Sequence, residues 1–356
     1  MGPLMKEQIE KYILDVIEER RPAPLTRGVL SILSTFFQTA VRARNWGYDK
    51  RIFKRVRASL PVVSIGNIAA GGTGKTPLIH LLAKELGAEK RVAILTRGYR
   101  GDLKGNSLNI SALEPAEAKR YGDEPFWLSH KLPEASVWVG KDRVRSAELA
   151  AQKNATLLLL DDGMQYRALE RDFEIVILDG KDLFAKGAFL PKGLLRDDPK
   201  RLKQADLIVI NHVYDTIHYG RCLRQLAPYT SAPVAAMRYS FKETEFLKGK
   251  KVGAFCALGR PERFLELLRL AGCTIIDDLI ALDHRPFDER QLKAFAERCK
   301  QRGADLLVCT EKDAVKLPRA LELSLPIKSL EVEIQWTAGQ ADWQECIKKI
   351  VREAHE

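Results

Sequence analysis

Three observations predict an α/β fold with a mostly parallel sheet for this 356-residue chain. Short β-branched apolar runs recur between segments of helical periodicity. One of them, residues 61–65, opens into a small-residue loop with Gly71, Gly72 and Gly74, then Lys75, Thr76 and a helical stripe of Leu78, Leu81, Leu82 and Leu86. Another, residues 155–160, delivers Asp161 and Asp162 at its C-terminal end. Strands alternating with helices build parallel sheets, and such sheets bind ligands beyond their strand C-termini.

Residues 1–60 stand apart from this pattern. Met5, Ile9, Tyr12, Ile13 and Val16 recur at helical spacing. A second helix is predicted by the wide stripe Val29, Ile32, Leu33, Phe36, Phe37, Ala40 and Val41. Arg42, Arg44, Trp46, Tyr48, Lys50, Arg51, Lys54, Arg55 and Arg57 follow, opposed only by Asp49. An apolar helical face beside cations and interfacial aromatics suits an anionic bilayer surface; packing on the chain's own next domain is the competing reading. No apolar run approaches the ~20 residues needed to span a bilayer, and no secretory signal is visible.

The strand, loop and helix of residues 61–86 form the context of a phosphate-binding loop. Asn67, Ala69, Ala70, Gly71, Gly72, Thr73 and Gly74 would offer backbone N–H groups to phosphate oxygens, aided by the helix N-terminus. Lys75 would reach the β- and γ-phosphates, and the Thr76 hydroxyl would hold Mg²⁺. The usual first glycine of such loops is replaced by Ala69. Asp161 and Asp162 complete the pattern as candidate metal ligands.

Further strands are predicted at 91–95, 136–139, 173–178 and 205–210. A polar break at 121–125 opens a helix over 126–132. Locally, Asp123 and Glu124 fit a cap of that helix better than chemistry at the nucleotide. Composition shifts near Pro233. A smaller α/β unit then follows, with strands at 251–258, from Thr274 and at 306–309, and helices at 262–271 and 289–302. Extended segments near 234–239 and 327–336 are expected to pair as a hinge, and a last amphipathic helix spans 343–351. The expected organisation is therefore a basic helical region (1–60), a nucleotide-binding domain (61–233), a smaller α/β domain with hinge strands (234–336) and a C-terminal helix (337–356).

The net charge of +11 favours anionic partners. Six scattered cysteines without a C-x-x-C pair suit reduced thiols and argue against zinc. Nothing resembles a single-strand stacking platform, so no nucleic-acid partner is expected, although a nucleic-acid-dependent ATPase and a nucleotide-switched regulator stay open at this level. His284, just after an apolar run, reads as a surface or structural residue on its own.

Taken together and in order, GNIAAGGTGKTP (66–77), TRGYRG (96–101), GDEP (122–125), DDGMQYR (161–167), LPKGLLRD (190–197), LDHRPF (282–287) and TEKDAVKL (310–317) resemble the tetraacyldisaccharide 4′-kinase family over nearly the whole chain. That family's loop also lacks the first glycine. The resemblance implies ATP and Mg²⁺ as cofactors and tetraacyldisaccharide 1-phosphate as the acceptor, in lipid A biosynthesis. It implies a place on the cytoplasmic leaflet of the bacterial inner membrane, peripheral or monotopic. By motif position it makes Asp123 the catalytic base, His284 its partner and Arg196 a site residue, with Asp197 and Gln165 as further candidates. Phe36, Phe37 and Trp46 would meet membrane or acyl chains. The chain departs from the family pattern at Met164, Tyr166, Asp197 and Arg260.

Overall fold

The computed structural model describes residues 12, 16–17, 23–98, 107–111, 113, 121–258, 261–281, 287–314, 317 and 321–353. A long helix, α1 (Pro24–Asp49), comes first, with Pro24 at its start where an N–H would go unused. β1 (Val62–Gly66), the loop and α2 (Lys75–Leu86) follow. Then come β2 (Val92–Thr96), β3 (Leu108–Asn109), α3 (Asp123–Lys131), β4 (Ser136–Val139) and α4 (Arg143–Gln152). β5 (Leu157–Asp161), β6 (Phe173–Asp179), β7 (Leu207–Asn211), α5 (Thr216–Leu226) and β8 (Val234–Phe241) continue the same layer.

The chain next forms β9 (Lys251–Cys256), α6 (Pro261–Leu270), β10 (Thr274–Ile280) and α7 (Glu289–Gln301). β11 (Leu306–Thr310), α8 (Glu311–Ala314) and β12 (Ile327–Leu330) complete that unit. β13 (Val332–Ala338) and α9 (Gln340–Glu353) return to the first layer.

Two sheets result. The larger runs β13-β8-β7-β6-β1-β5-β2-β4-β3, parallel except at its two edges, where β13 pairs antiparallel to β8 and β3 antiparallel to β4. The smaller, β10-β9-β11-β12, is parallel throughout. Strands covered on both faces must be apolar on both. In β5, Leu157 and Leu159 pack with α2, α3 and α9, while Leu158 and Leu160 face α4. Each such buried side chain contributes about 1.5–3 kcal/mol. In the smaller sheet, α6 covers one face through Phe264, Leu265 and Leu268, and α7 covers the other through Leu292, Phe295 and Cys299.

Two expectations change. The helix read as ending near Val41 continues through Trp46 to Asp49, because Arg42 and Asn45 find partners in Asp198 and Asp197 and do not start a solvated tail. The extended stretch 327–336 is two strands in different sheets. β12 pairs with β11, and only β13, beyond Glu331, pairs with β8. All six cysteines are buried free thiols.

Candidate active site

The loop after β1 is built from both its neighbours. Its first part is held by backbone pairing to the 194–197 segment: Ala70 N donates to Leu194 O at 2.7 Å, and Arg196 N to Ile68 O at 2.8 Å. A residue in such a ladder needs no glycine freedom, which accounts for Ala69. Gly74 does need it, because its φ is +98° and a Cβ would collide with the Tyr239 hydroxyl and the Asn211 amide. Those groups bind the loop: Asn211 Nδ2 donates to Thr73 O (3.1 Å) and Tyr239 Oη to Gly74 O (2.9 Å). Buried Asn67 donates to Thr73 Oγ1 (2.8 Å) and accepts on its backbone carbonyl from Gln165 Nε2 (2.8 Å).

Charge gathers where the loop meets the end of β5. Lys75 Nζ lies 3.4 Å from Asp162 Oδ1. Arg196 grips the same carboxylate with both arms of its fork, at 3.0 and 2.7 Å, and also donates to Asn67 Oδ1. Burial pushes the Asp162 carboxyl up, but Lys75 and Arg196 outweigh it and hold the group well below the usual carboxylate range. Asp161 behaves oppositely. Burial, reinforced by Asp162 and Glu124, raises it to about 6 even though Thr96 Oγ1 donates to it at 2.9 Å. Glu124, the second residue of α3, is reached by the Thr76 hydroxyl and lies near Lys75. Lys312 Nζ, 3.1 Å away, is the main reason its carboxyl stays low.

The donors fit Mg²⁺. Thr76, Asp161 and Asp162 offer hard oxygens, and a divalent cation would offset both the burial that chiefly raises Asp161 and the repulsion from Asp162 and Glu124 that adds to it. Among the described residues no three His, Cys, Asp or Glu side chains form a closed cage. Mg²⁺ at phosphate sites takes one or two carboxylates and completes its shell with phosphate oxygens and water.

Comparison with known proteins decides the family. A family model described as tetraacyldisaccharide-1-P 4′-kinase matches residues 26–352. The chain belongs to this family. It is 39% identical to the tetraacyldisaccharide 4′-kinase of Chlamydia pneumoniae over 78% of this chain and 79% of that one. It is 30% identical to that of Halothermothrix orenii, covering 97% and 99% of the two chains. Among solved structures it resembles LpxK from Aquifex aeolicus in complex with ATP, at 28% identity and TM-score 0.71, covering 93% of this chain and 99% of that chain.

Against this family's pattern the local departures have structural explanations. Met164 is buried beneath Gly66, whose missing Cβ leaves it room. Tyr166 accepts from Arg143 N at 3.0 Å, and its ring lies 4.8 Å below the Arg143 guanidinium, so it positions that arginine beside Asp161. Asp197 faces away from the loop. Fully buried, it accepts from Asn45 Nδ2 (2.7 Å) and from Asp198 N (2.9 Å) and anchors α1. Asp123 is the first residue of α3, next to Glu124. His284 lies outside the described residues, as does Arg260. The structure thus brings Asn67, the loop, Lys75, Thr76, Asp161, Asp162, Gln165 and Arg196 together. It adds Asn211 and Tyr239, which no local pattern announced, and it places Glu124 and Lys312, of the 122–125 and 310–317 motifs, in the site as an ion pair.

The long N-terminal helix of this kinase-family chain shows reversed amphipathicity. Its polar or small Ser34, Asn45 and Gly47 are buried with Leu30 and Val41, and Ser34 Oγ donates to Phe189 O at 2.7 Å. Leu25 (88% exposed), Val29, Ile32, Leu33, Phe36 (71%) and Trp46 face outward, and Phe37 is at the margin, 6.4 Å from the Phe189 ring. No described helix is long and apolar enough to cross a membrane.

Proposed function

We infer that this chain transfers the γ-phosphate of ATP to the 4′-hydroxyl of tetraacyldisaccharide 1-phosphate, giving the 1,4′-bisphosphate in lipid A biosynthesis. The observation that carries this reading is the convergence of the loop lysine, its threonine and the β5 carboxylates in a chain of this family. Lys75 exchanges Asp162 for the β- and γ-phosphate oxygens and absorbs charge as the transferring group loosens from ADP. Thr76, Asp161 and Asp162 would hold Mg²⁺, which when bound neutralises charge on the phosphates. Asp123 takes the proton of the attacking 4′-hydroxyl, and His284 orients and polarises Asp123. The new P–O bond forms as the bond to the ADP oxygen breaks.

Asp123 lies in the nucleotide-binding domain (61–233) and His284 in the smaller domain (234–336), so closure about the β8–β13 pair assembles the two. The Glu124–Lys312 ion pair across these regions supports this arrangement. The outward apolar face of α1 lies on the cytoplasmic leaflet of the inner membrane, with Phe36 and Phe37 toward the acyl chains and Trp46 at the interface.

Incubation with γ-labelled ATP, Mg²⁺ and the tetraacyl disaccharide 1-phosphate should place label at the 4′ position. Asp123→Ala should lower kcat by about 10²–10⁴-fold, the usual contribution of a general base. Near-native turnover by that variant would remove Asp123 from its role.

A further inference from the structure

We propose that Arg263, carried by α6 beside the smaller sheet, is a positioning residue for the phosphate loop and ties nucleotide affinity to the seating of that helix. This rests on reading residues 67–76 as the ATP site. Three successive loop carbonyls accept from side chains outside the loop. Arg263 donates from Nη1 to Gly72 O, Asn211 Nδ2 donates to Thr73 O (3.1 Å) and Tyr239 Oη to Gly74 O (2.9 Å). In a trans peptide the N–H points opposite to the C=O. Holding the Thr73 and Gly74 carbonyls outward therefore aims the N–H groups of Gly74 and Lys75 to the other side, where phosphate oxygens are to bind.

Asn211 and Tyr239 belong to β7 and β8, in the loop's own sheet. Arg263 does not: it stands in the first turn of α6 and reaches the loop from the other unit. Its second arm, Nη2, donates to Asp179 Oδ2 at the end of β6. Asp179 is buried, and its other oxygen bonds His212 Nδ1 at 2.8 Å and accepts from Lys181 N at 3.2 Å. His212, buried after β7, donates its backbone N–H to Asn211 Oδ1 at 2.7 Å. A continuous polar chain thus runs Arg263–Asp179–His212–Asn211–Thr73 and returns to the loop one residue from where Arg263 entered it. The Lys181–Glu266 pair at 2.7 Å joins the same elements but is exposed and contributes little. An arginine fork can serve a carbonyl and a carboxylate together, whereas a lysine offers a single nitrogen.

The test uses the full chain, with ATP varied at saturating lipid acceptor in mixed micelles, binding of a fluorescent ATP analogue and Tm. Arg263→Ala should raise both KM and Kd for ATP about tenfold, as loss of a charge-assisted hydrogen bond does. The acceptor KM should stay unchanged. Arg263→Lys should recover part of the loss, and Asp179→Asn should shift the same constants less. Unchanged ATP constants in Arg263→Ala would overturn the proposal, and so would a fall in Tm without a change in KM at temperatures well below melting. Should the alanine variant not fold, native ATP constants in Arg263→Lys together with Asp179→Asn overturn it equally. Lys75→Met separates the two readings: native ATP binding and turnover by that variant would sink the ATP site itself, whatever Arg263 does.

Discussion

The phosphate-loop centre and the outer face of α1 solve opposite problems. At the loop, groups that prefer water are withdrawn from it, and the charges except that of Asp161 are met by others brought from distant parts of the chain. Lys75 meets Asp162, Glu124 meets Lys312, and Arg196 bridges Asp162 and Asn67. On α1, groups that avoid water face outward, while the polar side of the same helix is spent on Asp197, Asp198 and Phe189. Burying polar surface unpaired costs more than exposing apolar surface, so the first region must be internally complete, whereas the second is completed by something outside the chain. The two should therefore fail independently.

The sharpest way to break that independence is at Lys75. Lys75→Met should lower kcat/KM by about 10²–10³-fold, the range for losing one electrostatic stabiliser. Partition onto anionic vesicles should remain native. A matching loss of vesicle binding would show that the two regions are one. The converse variant, Leu25→Asp with Ile32→Asp and Phe36→Asp, should reduce partition at least tenfold, since each side chain removes about 1.5–3 kcal/mol of burial. ATP affinity should hold; unaltered partition would mean that α1 faces protein, not lipid.

The smallest effect probes how completely the loop centre is satisfied before ligands arrive. Burial, Asp162 and Glu124 raise Asp161 to about 6, so the folded state binds its proton more tightly than the unfolded state does. Stability is therefore lost as pH rises from about 4 through about 6. Asp161→Asn should raise Tm of the ligand-free protein by a few degrees at pH 8, with the gain vanishing below about pH 4. An identical Tm difference across that range would mean that Asp161 does not titrate there.

The apolar runs made the parallel sheet legible, because strands buried on both faces leave few other readings of such sequences. The loop was legible too, since glycine, lysine and threonine follow one another locally. So were Asp161 and Asp162, at the end of an apolar run, but the groups that hold and balance them were not. Glu124 and Lys312 each fall in a motif that could be read, but 188 residues separate them and nothing in either motif says that they pair. Asn211 and Tyr239 matter only because the strand order sets β7 beside β6 and β8 beside β7, which periodicity does not encode. Residues 327–336 illustrate the same limit: their extended character could be read, but not that Glu331 parts a strand of one sheet from a strand of the other. In α1, the stripe that announced a helix is left uncovered except at Val41, because the anchors Ser34, Asn45 and Arg42 are polar.

The return of the chain to its first sheet has a consequence for synthesis. β8 is made before the four strands of the smaller sheet, but its antiparallel partner β13 is made after them. Trp343, fully buried with Cys346 and Ile350, fills the same core as α2 and β1, some 270 residues upstream. On the ribosome, the nucleotide-binding layer therefore waits for almost the whole chain, with one strand edge unpaired and one core position open. The smaller sheet, contiguous in sequence, is free to form during that wait. The order in which the two units mature is thus the reverse of the order in which they begin.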